Sequence, residues 1–417
     1  MNVLLYLAEA FAVAYLARQA AQKLKMPTVT GYVLGGVLLG GSFLFFFPSL
    51  HAKLMPYLLS PMALNRLGVV GDIALGLIAF SIGAELHLSR LRSLGRSIAW
   101  IVVLEALGTF VCVTAAIYFL VPERPYIALV LGAVASATAP AATVAVINQY
   151  RSRGPLTTTI LAVVGVDDGI ALVIYAFAAA ISKALIGQAD VNLIAAFVMP
   201  LVEVIASLGI GAALGALALP LLRRARQPED LILLTSLLIL VTSGLAEQFH
   251  FSPLLANMAG AAVVVNRAFF IKRRIQKVFS DFSIVFYALF FITAGAHLDL
   301  SLLPQIGFLG LVYFVARLAG KVGGAQLGAV LGGASPIVRR HIGFSLIPQV
   351  GVAVALALLV GKEFGGGAYG PAGVELASVV VNILLFTTIL TELLGPVLTR
   401  RALIRAGEAR PLESASA

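Results

Sequence analysis

Long apolar stretches alternate with short polar ones from one end of the chain to the other. Thirteen apolar segments are predicted, centred on residues 3–22, 28–48, 67–87, 97–120, 125–149, 157–182, 195–222, 230–247, 252–266, 282–297, 304–331, 338–361 and 371–398. A helix needs roughly 20 apolar residues to cross the hydrocarbon core of a bilayer. In lipid each segment must satisfy its own backbone hydrogen bonds, so helices are the expected spanning elements. The fold class that follows is all-α and polytopic: about thirteen transmembrane helices in one integrated domain over 1–403, then a short disordered cytoplasmic tail over 404–417.

Polar residues break this pattern in three places that bear on chemistry. The sixth segment carries Gly165-Val166-Asp167-Asp168-Gly169 near its middle, with no base in the same run. An ionised group at that depth costs about 2.5 to 3.5 kcal/mol on insertion scales, so two adjacent carboxylates need a reason. A buried base could neutralise them as a structural pair. The reading adopted is that they hold a cation and protons in competition.

The other two interruptions contain proline. Segment five reads Ser136-Ala137-Thr138-Ala139-Pro140-Ala141-Ala142-Thr143, and segment twelve reads Ser345-Leu346-Ile347-Pro348-Gln349-Val350-Gly351. Proline removes a backbone donor and clashes with the preceding turn, so both helices are expected to be discontinuous. They stand at matching places in an internal repeat. Gly83-Ala84-Glu85-Leu86-His87-Leu88-Ser89 ends segment three, and Gly295-Ala296-His297-Leu298-Asp299-Leu300-Ser301 ends segment ten. Met26-Pro27-Thr28 opens segment two, as Ser252-Pro253-Leu254 opens segment nine. Segment three runs toward the basic side of the chain and segment ten away from it, so the repeats are inverted in the membrane. Inverted repeats with matched broken helices point to a transport site where the repeats meet. Freed carbonyls, half-helix dipoles and the hydroxyls of Ser136, Thr138, Thr143 and Ser345 could then help to hold a cation.

Segment eleven adds two bases, Arg317 and Lys321, four residues apart on one helical face. Each is expected to need an acidic partner or a wet cavity. Lysine is the better titrating partner, because arginine stays protonated. Lys321 is therefore assigned to Asp167, Asp168 is left as the cation ligand, and Arg317 is read first as a structural counter-charge. Glu9, Glu105, Glu203, Glu375 and Glu392 are single acids without a broken-helix context and are read as packing or interface groups. Glu85, His87, His297 and Asp299 fall at span ends, and Asn257 is read as a hydrogen bond between helices. No nucleophile–base pair, metal-ligand spacing or phosphate loop is visible, so neither an enzyme nor a bound cofactor is expected.

Composition supports the membrane reading: 60% of residues are hydrophobic and 12% charged, half the charge of an ordinary soluble domain. The net charge of +10 is explained by topology rather than by nucleic acid. Of the Lys and Arg residues, 22 fall on alternate loops on one side, 5 on the other, and the last two are Arg317 and Lys321. The positive-inside rule then puts the C-terminus in the cytoplasm and the N-terminus outside. No cleavable signal peptide is expected, and the single Cys112 excludes a disulfide within the chain.

The Val-Gly-Val-Asp-Asp-Gly helix, Ala-Thr-Ala-Pro in the first break, Ala-Gly-Lys-Val-Gly-Gly-Ala in segment eleven and Ile-Pro-Gln-Val-Gly-Val-Ala in the second break together resemble the monovalent cation/proton antiporter superfamily. Adjacent aspartates plus a membrane lysine are similar to its electrogenic bacterial sodium/proton antiporters. The resemblance covers nearly the whole chain. It implies a homodimer in the bacterial inner membrane. Scaffold and dimerisation helices would lie at about 1–48, 195–266 and 371–398, and an elevator-like core at about 67–182 and 282–361. It further implies Asp168 as main ligand for sodium or lithium, Asp167 as partner of Lys321, and Thr138 and Ala139 at the crossing of the broken helices. Two positions depart from the pattern: Ala139 stands where many relatives have a coordinating side chain, and Gln349 where some have a base. The implied function is sodium/proton exchange, electrogenic and serving pH homeostasis. Potassium/proton exchange, or a non-transporting sensor or cation channel, are the alternatives.

Overall fold

The computed structural model of the chain describes residues 3–23, 28–41, 44, 68–86, 95–187, 193–225, 227–249, 251–267, 272–298 and 300–409. Several readings fall outside those residues: the Met26-Pro27 opening, the His87-Leu88-Ser89 end of segment three, Lys25, Lys53, Arg66, Arg90, Arg92, Arg226, Asp299, Arg410 and the last part of the tail. The side chains of Glu85 and Pro140 are likewise not described.

The described residues form fifteen α-helices and no strand. They are α1 (Val3–Lys23), α2 (Thr28–Gly40), α3 (Gly68–Glu85), α4 (Arg96–Leu120), α5 (Pro125–Ala135), α6 (Pro140–Gln149), α7 (Pro155–Ile186) and α8 (Leu193–Arg224). After these come α9 (Pro228–Gln248), α10 (Pro253–Arg267), α11 (Lys272–Ala296), α12 (Leu303–Leu331), α13 (Pro336–His341), α14 (Val352–Gly365) and α15 (Gly370–Arg405). The predicted segments five and twelve are each split, into α5 with α6 and α13 with α14. Among the described residues six helices are by length and composition able to cross a membrane: α4, α7, α8 from Leu201, α9, α12 from Gly307, and α15.

The helices group into two compact units. The first comprises 1–23, 31–91 and 190–301. Within it α10 packs against α3 and α8, and α11 against α3. Small residues set these approaches: a Cβ on Gly83 would fall 2.0 Å from the carbonyl oxygen of Met258, and one on Gly211 would fall 1.9 Å from that of Ala256. Leu77, Phe80, Leu231, Ile239 and Val264 fill the space between.

The second unit comprises 24–30, 92–189 and 302–417. Its most extensive contact is α4 against α12. Gly320, Gly324, Gly328 and Gly332 recur at four-residue spacing and so line one face of α12. A Cβ on Gly324 would sit 2.3 Å from the Leu104 carbonyl oxygen, and one on Gly328 2.5 Å from that of Trp100. Without a hydrophobic drive between helices in lipid, such close backbone contact is what holds a pair together. The core-and-scaffold grouping expected above is drawn differently, since it puts 67–87 and 282–297 with the core and 371–398 with the scaffold. It concerns which helices move together, a property distinct from contact.

The tail needs a correction. Instead of fraying after Leu403, helix α15 continues to Arg405 and the chain folds back. The Glu408 carboxylate accepts from the backbone N–H of Leu156 and of Thr157, each at 2.7 Å, and from Thr157 Oγ1 at 2.7 Å. It thus caps the first turn of α7, where free N–H groups and the positive end of the helix dipole favour an anion.

Candidate functional site

The two breaks meet inside the second unit. Ser136–Ala139 are not helical, and α6 starts at Pro140. In the other repeat a single 3-10 turn, Ile342–Ser345, leads into a non-helical run to Val350. Gly351 opens α14 with φ +64°, a conformation that favours glycine over residues with a side chain. The two runs are tied backbone to backbone: the Ala139 N–H donates to the Pro348 carbonyl at 2.8 Å. Side chains add to the seam. Thr143 Oγ1 donates to the Ser345 carbonyl at 3.0 Å, and Gln349 Nε2 to the Val134 carbonyl at 3.1 Å and to the Tyr313 hydroxyl at 3.0 Å. Pro348 is received by Gly395 of α15, where a Cβ would come within 2.5 Å of the proline ring.

Helix α12 sends both bases into this seam, and both are fully buried. The Arg317 guanidinium donates to three backbone carbonyls: Ala135 at 3.1 Å, Ala137 at 3.0 Å and Ile347 at 2.7 Å. These carbonyls belong to both breaks, so a single side chain laces the two together. The expected acidic partner is not what holds Arg317; the planar fork of donors fits peptide oxygens freed by the broken ladders.

Lys321, one turn on, sits among acids. Its ammonium donates to the Ser136 carbonyl, to Thr138 Oγ1 at 2.6 Å and to Asp167 Oδ2 at 3.4 Å. Thr138 Oγ1 in turn donates to Asp167 Oδ2. Lys321 also forms an ion pair with Glu105 of α4, both side chains being fully buried. Asp167 is fully buried and Asp168, next on α7, is 7% exposed. Ser136, Thr138, Ala139, Thr143, Ser345 and Gln349 are all buried at the seam. Ala139 brings only its backbone, and its N–H is already engaged.

A comparison with known families matches residues 10–403 to the family described as sodium/hydrogen exchanger, transmembrane. The chain belongs to that family. Among curated proteins it is 24% identical over 415 residues to the high-affinity Na(+)/H(+) antiporter NhaS3 of Synechocystis, covering 93% of this chain and 87% of that one. Among solved structures it is similar to the sodium proton antiporter MjNhaP1 of Methanocaldococcus jannaschii at pH 8, with TM-score 0.75, 20% identity and coverage of 97% and 98%. An electron-microscopy map of MjNhaP1 matches with TM-score 0.72, 18% identity and coverage of 99% and 100%. The exchanger fold that the resemblance implies is thus the fold found, in a multi-pass membrane protein of antiporter class.

One acid of this buried cluster has a different place from the one expected of it. Glu105, taken above as a packing acid, lies against Lys321. Glu105 Oε2 and Asp167 Oδ1 are buried with no hydrogen-bond partner among the described residues. A buried charge is tolerable only when paired and hydrogen-bonded, so one ammonium between two carboxylates leaves the cluster able to take up a proton or a cation. The signal available in the sequence was the glycine stripe on α12, whose close contact with α4 sets Glu105 beside Lys321. Of the other acids, Glu375 pairs with Arg124 at a part-exposed position, and buried Glu392 accepts from Thr30 Oγ1 at 3.3 Å. Asn257 makes its bonds in the first unit, with Nδ2 donating to Ser243 Oγ at 2.8 Å and to the Pro253 carbonyl at 2.9 Å.

Proposed function

We propose that the chain exchanges sodium or lithium for protons by alternating access, that the exchange is electrogenic, and that Asp168 with Asp167 takes cation and proton in turn. The observation that carries this reading is the position of the Asp167-Asp168 pair: a buried di-acid on α7, bonded through Thr138 to the first unwound run, with a buried ammonium at hand. Similarity to proteins named as sodium/proton antiporters supports sodium as the cargo.

In the cation-free state Lys321 rests on Asp167 and Glu105, and Asp168 carries a proton. Arrival of sodium displaces that proton, with carbonyls of the broken helices completing the oxygen shell. Adjacent carboxylates titrate as a coupled group, so cation and protons exclude one another without a separate gate. When Asp167 turns to the cation, Lys321 can release its own proton, which gives two protons per sodium and net charge movement. The core, about 67–182 and 282–361, would carry the site across as an elevator against a scaffold in a homodimer. The C-terminus would face the cytoplasm of a bacterial cell and the N-terminus the outside.

The test is exchange in proteoliposomes with sodium, lithium and potassium, with the membrane potential clamped and unclamped. Sodium should drive proton movement, and clamping should raise the rate. The Asp168→Asn variant should show none. Sodium-driven exchange at the normal rate in that variant, or a preference for potassium, overturns the corresponding part of the reading.

A further inference from the structure

At the end of α15 the second unit has a cavity of about 550 Å³. Four basic groups line it: Arg340 and His341 from the end of α13, and Arg401 and Arg405 from the last turns of α15. Phe344 and Leu398 line it too, giving an apolar side. Arg340, Arg401 and Arg405 are exposed. Among the described residues no carboxylate lies within 4.0 Å of any of the three, although Arg124 and Lys183 elsewhere in the unit do have such partners. Three guanidinium groups lining one space repel one another, and an anion joining them would offset that repulsion.

We propose that this cavity binds the phosphate-bearing headgroup of an anionic lipid. Arginine forks match phosphate oxygens two at a time, which makes the residue type right for the ligand. The position is right as well. The apolar span of α15 gives out where Arg400, Arg401 and Arg405 begin, the depth of headgroups rather than of chains. Basic pockets between membrane helices on the cytoplasmic side are where phospholipid headgroups dock. Phe344 and Leu398 then offer a surface to the first acyl carbons, which a free phosphate would leave unused.

The cavity also adjoins the site's framework. Arg340, His341 and Phe344 stand on the short helix and 3-10 turn that lead into the 346–350 break, and the carbonyls of Ser345 in the turn and of Ile347 and Pro348 in the break form the seam. The other wall is α15, which packs against Pro348 through Gly395. A headgroup bridging the walls would staple this half-helix to α15.

The experiment titrates the delipidated full chain in neutral detergent with phosphatidylglycerol, cardiolipin, phosphatidylcholine or inorganic phosphate and follows the melting temperature. The two anionic lipids should raise it by roughly 5 °C, and the other two should leave it unchanged. The Arg401→Gln/Arg405→Gln double variant should lose the shift while remaining monodisperse. Arg340→Gln, on the opposite wall, should lose it in the same way and serves if the double variant does not fold. A full shift in both variants overturns the pocket as the site. A full shift with inorganic phosphate overturns the lipid as its ligand.

Discussion

One turn apart on α12, Arg317 and Lys321 are equally buried, yet the regions around them differ in kind. Around Arg317 every partner is a peptide carbonyl, drawn from both broken helices. Around Lys321 stand Asp167, Glu105 and Thr138 beside a single carbonyl. A guanidinium does not give up its proton in a protein, so its region is a fixed brace. On the function proposed above, the ammonium and the carboxylates around it trade protons, so its region changes charge. On that proposal the chain separates holding the crossing together from working at it, with two bases on one helical face.

Arg317→Ala should show the largest effect. It leaves the carbonyls of Ala135, Ala137 and Ile347 without their donor, at about 1–3 kcal/mol for each buried unsatisfied group. We expect several kcal/mol in all, read as loss of monodisperse protein or a steep fall in melting temperature, with Arg317→Lys restoring only part. A variant that melts like the parent would erase the distinction between the two regions.

Lys321→Gln should do the reverse: a folded protein whose melting temperature falls less than that of Arg317→Ala, but whose exchange no longer responds to membrane potential. The comparison breaks if this variant is as unstable as Arg317→Ala while its transport stays electrogenic. Gly324→Ala probes how the Lys321 region is assembled. Its Cβ would press on the Leu104 carbonyl, which is backbone and cannot swing aside. Overpacking of this kind costs about 1–3 kcal/mol, and the same change at exposed Gly323, which faces open space, should cost much less. Glu105→Gln keeps the shape and removes the charge. It should leave melting nearly unaltered and displace the pH profile of exchange, with a change in rate of about tenfold, or 1.4 kcal/mol. An unaltered profile would return Glu105 to the packing role first given to it.

Much of the architecture was legible because bilayers impose a simple rule on sequence. Apolar runs of spanning length, prolines inside two of them and a di-acid in a third are all local features, and each has an unambiguous cost in lipid. Glu105 was legible only indirectly, through the glycine stripe on α12, since the close contact that gives it meaning joins α4 to α12, far apart along the chain. Arg317 was expected to need an acid or a wet cavity because side chains are visible in sequence and backbone carbonyls are not. Glu408 looked like part of a loose tail for a similar reason: the helix end it caps begins at Pro155, on another part of the chain.

By itself the amino-acid order determined the helices, the two places where they break and the place of Asp167 and Asp168 inside a long apolar helix, because hydropathy and proline act within a single segment. Only the tertiary structure decided which carbonyls Arg317 braces, which second carboxylate Lys321 shares and how the basic side chains of α13 and α15 come to line one cavity. Those outcomes depend on how closely helices approach, and closeness is a property of pairs: it is set by what both faces lack, as the glycines of α12 show against α4, and neither face alone records it.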